Sequence, residues 1–227
     1  MLDADTGGRD LEQLLRCCVD SARAAADHAV AQKRRRHEVH QRFTHDVKLA
    51  LDLECQGVAT SVIHRHFPGD TILGEEGSHA GGEGIEWVVD PIDGTVNFFH
   101  GVPWWCSSVA VRLGDRVLAG AVYAPEQGML FEASCSTPTR LNGNPVRTSA
   151  VETLADSLVI TGSEKELTPG KLPLATAQMM APHVQKVRIL GAAAIDICQI
   201  ASGSAELFYQ AGLYIWDVAA AGLIVQQ

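Results

Sequence analysis

"EWVVDPIDGTVNFFHGVPWW", Glu86 to Trp105, carries an apolar run into Asp90 and Asp93, with Pro91 between them, and then into Gly94-Thr95 and a cluster of aromatics. A short apolar run bounded by turn signals reads as a buried strand. Two like charges three residues apart at its end add nothing to stability by themselves. They point instead to a cation held between them. Carboxylates without accompanying histidine or cysteine suit a hard ion such as Mg²⁺. Pro91 is expected to end the strand and hold the turn, with the Ile92 carbonyl turned toward the ion. Asp90 can then bridge two cations while Asp93 reaches the second; ions ~3.5–4 Å apart serve in-line displacement at phosphorus. Gly94 lets backbone approach closely, and Thr95 offers a hydroxyl at an expected helix start, where free N–H groups favour phosphate.

Other acids stand at comparable places. Glu75 and Glu76 follow the short run Thr71-Ile72-Leu73, and Asp217 precedes the apolar segment Val218 to Val225. Gly191-Ala192-Ala193 offers a second helix terminus. Taken singly, a strand-end aspartate is a turn former, Glu75-Glu76 a solvated loop, and Asp217 a helix cap. Their combination is what points to a metal site. The D-x-D-G-T pattern of aspartyl-phosphate phosphatases needs an aspartate two residues before Asp93. That position is Pro91, so a covalent aspartyl route is excluded. Neither a G-x-S-x-G elbow nor a Walker loop offers another one.

The 227 residues carry 46% hydrophobic and 20% charged side chains, enough for a sizeable core of ordinary globular type. A net charge of −9 argues against nucleic acid as a partner and means that an anionic substrate would have to be met through cations. No apolar run is long enough to span a membrane, and the start, MLDADTGGRD, lacks the features of a secretory signal. Six cysteines without a C-x-x-C pair read as reduced thiols in a cytoplasmic protein. His64-x-His66 reads as the decoration of a helix end.

Along the chain, Asp10 starts a helix with apolar positions at Leu14, Cys18, Ala22, Ala25 and Ala29, running into the basic stretch Lys33 to His37. That stretch reads as a solvated helix end, with a phosphate or nucleic-acid patch as the competing reading. Val47 to Leu51 is expected to be extended, with Asp52 capping a second helix that carries Val58, Val62 and Ile63. A glycine-rich loop, Gly77 to Gly84, is expected before the strand Ile85 to Val89. Ser107 to Ser134 reads as an antiparallel meander and Leu141 to Asn144 as a hairpin. Strands are expected at Ser157 to Thr161, Val187 to Leu190 and Leu207 to Tyr209, and helices at Leu172 to His183 and from Gly191 through Ile200. A last helix is expected to be capped by Asp217. The pattern predicts layered α/β (α+β) sheets with antiparallel portions. The expectation is a single domain over 1–227, with an N-terminal part to about 150 and a C-terminal part over 151–227.

Trp87 to Phe98, WVVDPIDGTVNF, resembles the first signature of the inositol monophosphatase family, and Trp216 to Gly222, WDVAAAG, resembles the second. Gly74-Glu75-Glu76 and the segment Asp46 to Asp52 fall where that family has its other acids. The resemblance covers nearly the whole chain. It implies a layered α-β-α-β-α sandwich, a homodimer, and a phosphomonoesterase using two or three Mg²⁺ ions and inhibited by Li⁺. By position, Glu75, Asp90 and the Ile92 carbonyl would hold one ion, and Asp90, Asp93 and Asp217 the next; Glu75 would help with a third. Thr95 and Asp52 would orient and deprotonate the attacking water. Gly94 and Thr95 amides would hold phosphate, with Ser163, Ala193, Gln210 and Asp217 at the substrate. Glu76 is expected beside the ligands. Departures from the family pattern are Leu49 in place of a threonine, and Gln210 where inositol-cleaving members often carry glutamate. The sequence stops at Gln227, inside the last expected helix, where the family continues; the expectation is an apolar surface awaiting a cover. Within this chemistry the leading substrate is inositol-1-phosphate, with histidinol phosphate or 3′-phosphoadenosine 5′-phosphate as alternatives. A catalytically weak regulatory protein is the alternative of another class.

Overall fold

Ile85–Asp93 forms β5, the strand at which a large sheet changes from antiparallel to parallel pairing. The computed structural model describes residues 6–43, 47–81, 84–162 and 174–227; Asp46 and Ser163 lie outside them. Before β5 come α1 (Leu11–Ala31), β1 (Val39–Arg42), β2 (Val47–Leu49), α2 (Ala50–His66), β3 (Thr71–Gly74) and β4 (Gly77–His79). After it come α3 (Thr95–His100), β6 (Cys106–Leu113), β7 (Arg116–Ala124), β8 (Met129–Ser134), β9 (Thr137–Leu141) and β10 (Asn144–Pro145). The C-terminal part holds β11 (Leu158–Thr161), α4 (Ala175–Met180), β12 (Lys186–Ile189), α5 (Ala193–Ala201), β13 (Leu207–Tyr209) and α6 (Ile215–Gln226).

The large sheet has the order β10-β9-β8-β7-β6-β5-β3-β4, and a parallel sheet has the order β12-β11-β13. Helices α1 and α2 pack together and cover one face of the large sheet. On its other face lies α6, with α5 packed beside it and reaching on to β11 and β13. The result is a layered mixed α/β architecture, as the sequence predicts.

Helix α1 forms where expected: the Asp10 carboxylate accepts from the Glu12 amide at 3.0 Å, and Leu14, Cys18, Ala22, Ala25 and Ala29 are buried. Its alanines present little bulk, so α1 lies close to both α2 and the sheet. With helices on both faces, the central strands bury both sets of side chains and read as apolar runs. Trp87, Val89 and Val111 enter the core under α1 and α2, whereas Val88, Ala110 and Val122 enter the core under α5 and α6.

Three local expectations need correction. Pro91 does not end β5. The strand runs on to Asp93 through a bulge, because Asp90 pairs with Ser108 and Asp93 with Cys106. A bulge needs no ladder N–H from its extra residue, so proline is tolerated there. Gly77–His79, read as loop, pairs antiparallel with β3. Neither Asp52 nor Asp217 occupies a cap position. Each is the third residue of its helix, with its carboxylate folded back to the amide of the capping residue: Leu49 N–H to Asp52 Oδ2 at 2.6 Å, Tyr214 N–H to Asp217 Oδ2 at 2.7 Å. The helix expected over Leu172 to His183 is described from Ala175 to Met180.

Candidate metal centre

Parallel pairing of β3 with β5 brings their carboxyl ends to the same edge of the sheet, with Gly74 opposite Val89. Glu75 and Asp90 are therefore the next residues on two neighbouring strands, and the Glu75 amide donates to the Val89 carbonyl at 3.2 Å. The bulge at Pro91-Ile92 completes the placement. In a regular strand, residues three apart face opposite sides; one inserted residue turns both to one side. Asp90, Asp93 and Asp217 each offer a carboxylate oxygen within 4.8 Å of the others, and all three residues are buried.

Each acid is held. Asp90 Oδ1 accepts from the Ile92 amide at 3.2 Å. Asp93 accepts from the first two amides of α5, Ala193 at 3.1 Å and Ala194 at 2.7 Å, and from the Cys106 thiol at 3.5 Å. Burial, and after it the Asp217 carboxylate, pushes Asp93 up to about 6, against the lowering effect of those donors. Asp217 is delivered by α6, whose close approach depends on Gly120 of β7: a Cβ there would stand 2.8 Å from the Ala220 Cα. The donor set is buried and all oxygen, which fits a hard divalent cation. Among the described residues no other group of three or more such side chains gathers in this way.

Thr95 opens α3, and its hydroxyl donates to the Ile92 carbonyl at 2.9 Å. Gly94 precedes it with φ of 89°, where a Cβ would crowd Ala192, Gly191 and Trp104. Asn97 ties this corner to the next, donating to the Trp104 and Leu190 carbonyls at 2.8 Å each. The Gly191 loop and the start of α5 are thereby fixed against α3. Gln210 follows β13 with its side chain over Gly162. Ser163, the next residue, lies outside the described ones.

Glu75 is not within the three-acid group, but its charge reaches Asp52 and Lys48. Asp52 is buried, with Oδ2 bonded to Leu49 N–H and Oδ1 without a protein partner. Burial first, and the nearby Glu76 and Glu75 carboxylates after it, push Asp52 up to about 8, opposed by the Leu49 amide and Lys48. Gln56 braces the turn behind Glu75, accepting from the Glu76 amide and donating to the Gly77 carbonyl, both at 2.9 Å.

Sequence reasoning missed Lys48, Gln56, Cys106 and Asp196. The last had a signal: a lone acid inside the apolar segment Ala192 to Ala201. Its Oδ1 accepts from the Trp104 indole at 2.7 Å, and burial, with the Asp93 field behind it, pushes it up to about 7 despite that bond. Trp105 is core, edge-on to Phe98 at 4.9 Å. Two residues of the basic run form ion pairs, Lys33 with Glu126 and Arg35 with Glu38 and Glu54. No described helix is long and apolar enough to cross a membrane.

Known proteins resemble this chain in sequence and architecture. The model of the inositol monophosphatase family matches residues 10–227. Inositol monophosphatase 1 of Solanum lycopersicum is 33% identical over 96% of this chain and 82% of its own length. The Nus factor SuhB of Pasteurella multocida is 30% identical over 96% of this chain and 83% of its own. Among solved structures, the extragenic suppressor protein suhB of Bartonella henselae superposes with a TM-score of 0.86 at 26% identity, covering 94% of this chain and 84% of that one. The chain belongs to the inositol monophosphatase family.

Proposed function

We propose that the protein is a Mg²⁺-dependent phosphomonoesterase acting on a small phosphorylated polyol, with inositol-1-phosphate the leading substrate. The observation that carries this reading is the convergence of Asp90, Asp93 and Asp217 at the mouth of the β5 bulge. Glu75, Asp90 and the Ile92 carbonyl would hold one ion, and Asp90, Asp93 and Asp217 another. Bound there, Mg²⁺ would supply Lewis acidity, neutralising the phosphate and stabilising the departing alkoxide.

The remaining work falls to the chain's own groups. Asp52 has one oxygen anchored and one without a protein partner, the arrangement of a proton acceptor aimed at a water. Thr95, held by Ile92, would orient that water through its hydroxyl. The amides of Gly94 and Thr95 would receive the phosphate oxygens, and Ala193, Gln210, Ser163 and Asp217 would face the polyol. Gln210 can donate as well as accept, so hydroxyl recognition survives the change from glutamate. Li⁺ is expected to inhibit, and a homodimer is the expected assembly. Two residues of the basic run, Lys33 and Arg35, are engaged in internal ion pairs, which weakens the regulatory alternative at those positions.

A phosphate-release panel comparing inositol-1-phosphate, histidinol phosphate and 3′-phosphoadenosine 5′-phosphate at fixed Mg²⁺ tests the substrate. The highest kcat/KM should fall on inositol-1-phosphate; a higher value on either of the others would reassign the substrate within the same chemistry.

A further inference from the structure

Lys48 lies on β2 between the buried Val47 and Leu49 and, by strand alternation, points away from the core they enter. Its ammonium donates to Glu76 Oε1 at 3.0 Å and to the Glu75 carbonyl at 3.2 Å. The Glu76 side chain is 5% exposed and that of Lys48 27%. A lysine ammonium is charged at neutral pH, and this one is hydrogen-bonded to the Glu76 carboxylate with Glu75 and Asp52 close by. A permanent cation thus sits among three acids. One of them, Asp52, keeps a buried oxygen with no protein partner.

Resting on the phosphatase reading above, we propose that the Lys48 ammonium is a built-in cation of this centre. It fills the position beside Glu75, Glu76 and Asp52 that a further divalent ion would otherwise take. A tethered ammonium carries half the charge of Mg²⁺ and cannot diffuse away. It neutralises the turn at every metal concentration and repels an additional dication. The centre then works with the ions held by the aspartates, and Glu75 is left to serve them. A purely structural Lys48 makes the opposite prediction: its removal would loosen the Glu75-Glu76 turn and weaken metal binding.

Calorimetric titration of the metal-free full chain with Mn²⁺, without substrate, separates the two roles. Lys48→Met keeps most of the side-chain length and removes the charge, with Lys48→Gln as a second neutral variant. Lys48→Arg keeps the charge. The neutral variants should bind one more ion per chain, or bind the same ions at least about tenfold tighter, while Lys48→Arg matches the parent. Equal or weaker binding by both neutral variants, with the parent binding normally, would overturn the role of Lys48 alone. If neither the parent nor the variants bind Mn²⁺, the phosphatase reading falls with it.

Discussion

Asp52 illustrates how one side chain answers to two demands. Its carboxylate secures the start of α2 through Leu49, and burial holds its pKa at about 8 in the absence of metal. A carboxyl in that range is mostly protonated at neutral pH, and cations bound nearby would bring its pKa back down and free it to act as a base. Asp52→Asn retains an acceptor for the Leu49 amide and loses the base. Its kcat should fall by about 10²–10⁴-fold with KM little changed, and the acid limb of the kcat profile should disappear. Retention of both rate and acid limb would remove Asp52 from the mechanism. Asp93 is a poorer target, because both its oxygens hold amides of α5 and an asparagine would turn an NH₂ group toward one of them. Asp217 Oδ2 accepts from the Tyr214 amide, and an asparagine carbonyl there can keep that bond while the charge is lost.

At the scale of elements, the site is a meeting of ends: two parallel strand ends, the bulge of β5, and the first turns of α3, α5 and α6. Its precision depends on how closely these elements approach. Gly120 is the clearest case, since its missing Cβ is what allows α6 to lie against β7. Gly120→Ala must push α6 outward, and Asp217 lies one turn before the point of contact. The substitution should destabilise the fold by ~1–3 kcal/mol through overpacking. It should also raise the Mg²⁺ concentration needed for half-maximal activity, since metal geometry tolerates displacements of only about 0.5 Å. A normal Mg²⁺ requirement in a destabilised Gly120→Ala protein would show that α6 does not set the site.

For the molecule as a whole, the acids that gather at one edge were legible in sequence because each stands next to a local signal, a strand end or a helix start. What was not legible depends on register. The bulge that turns Asp90 and Asp93 to one side exists only in the pairing of β5 with β6, and "DPID" alone suggested that the strand stops. The fold-back of Asp52 and Asp217 was misread because an acid before an apolar helix looks the same at the cap and two or three residues inside it. Lys48 reaches Glu76 across 28 residues of sequence, a contact no local pattern encodes. Concentrating acids in this way has a cost in the metal-free chain. Asp52, Asp196 and Asp93 are pushed to about 8, 7 and 6 from an ordinary value of 3.8. Because these folded-state values are raised, the native chain binds more protons than the unfolded one above that ordinary value. The stability they contribute is full at lower pH and is lost as pH rises through each shifted value. The metal-free melting temperature should therefore fall between about pH 4 and 8, and Mg²⁺ should recover much of the loss at pH 8. A metal-free melting temperature that rises across that window would contradict the shared acidic centre.

The most direct measurement is phosphate release from inositol-1-phosphate by the parent chain and by Asp217→Asn, each titrated with Mg²⁺ from a metal-free start. The parent should be inactive without Mg²⁺ and turn over with it. Asp217→Asn should remain folded and lose at least about 10²-fold in kcat/KM, as expected when a metal ligand that stabilises transition-state charge is removed. Turnover independent of Mg²⁺, or an Asp217→Asn protein as active as the parent, would contradict the assignment of the acidic cluster as a catalytic metal centre.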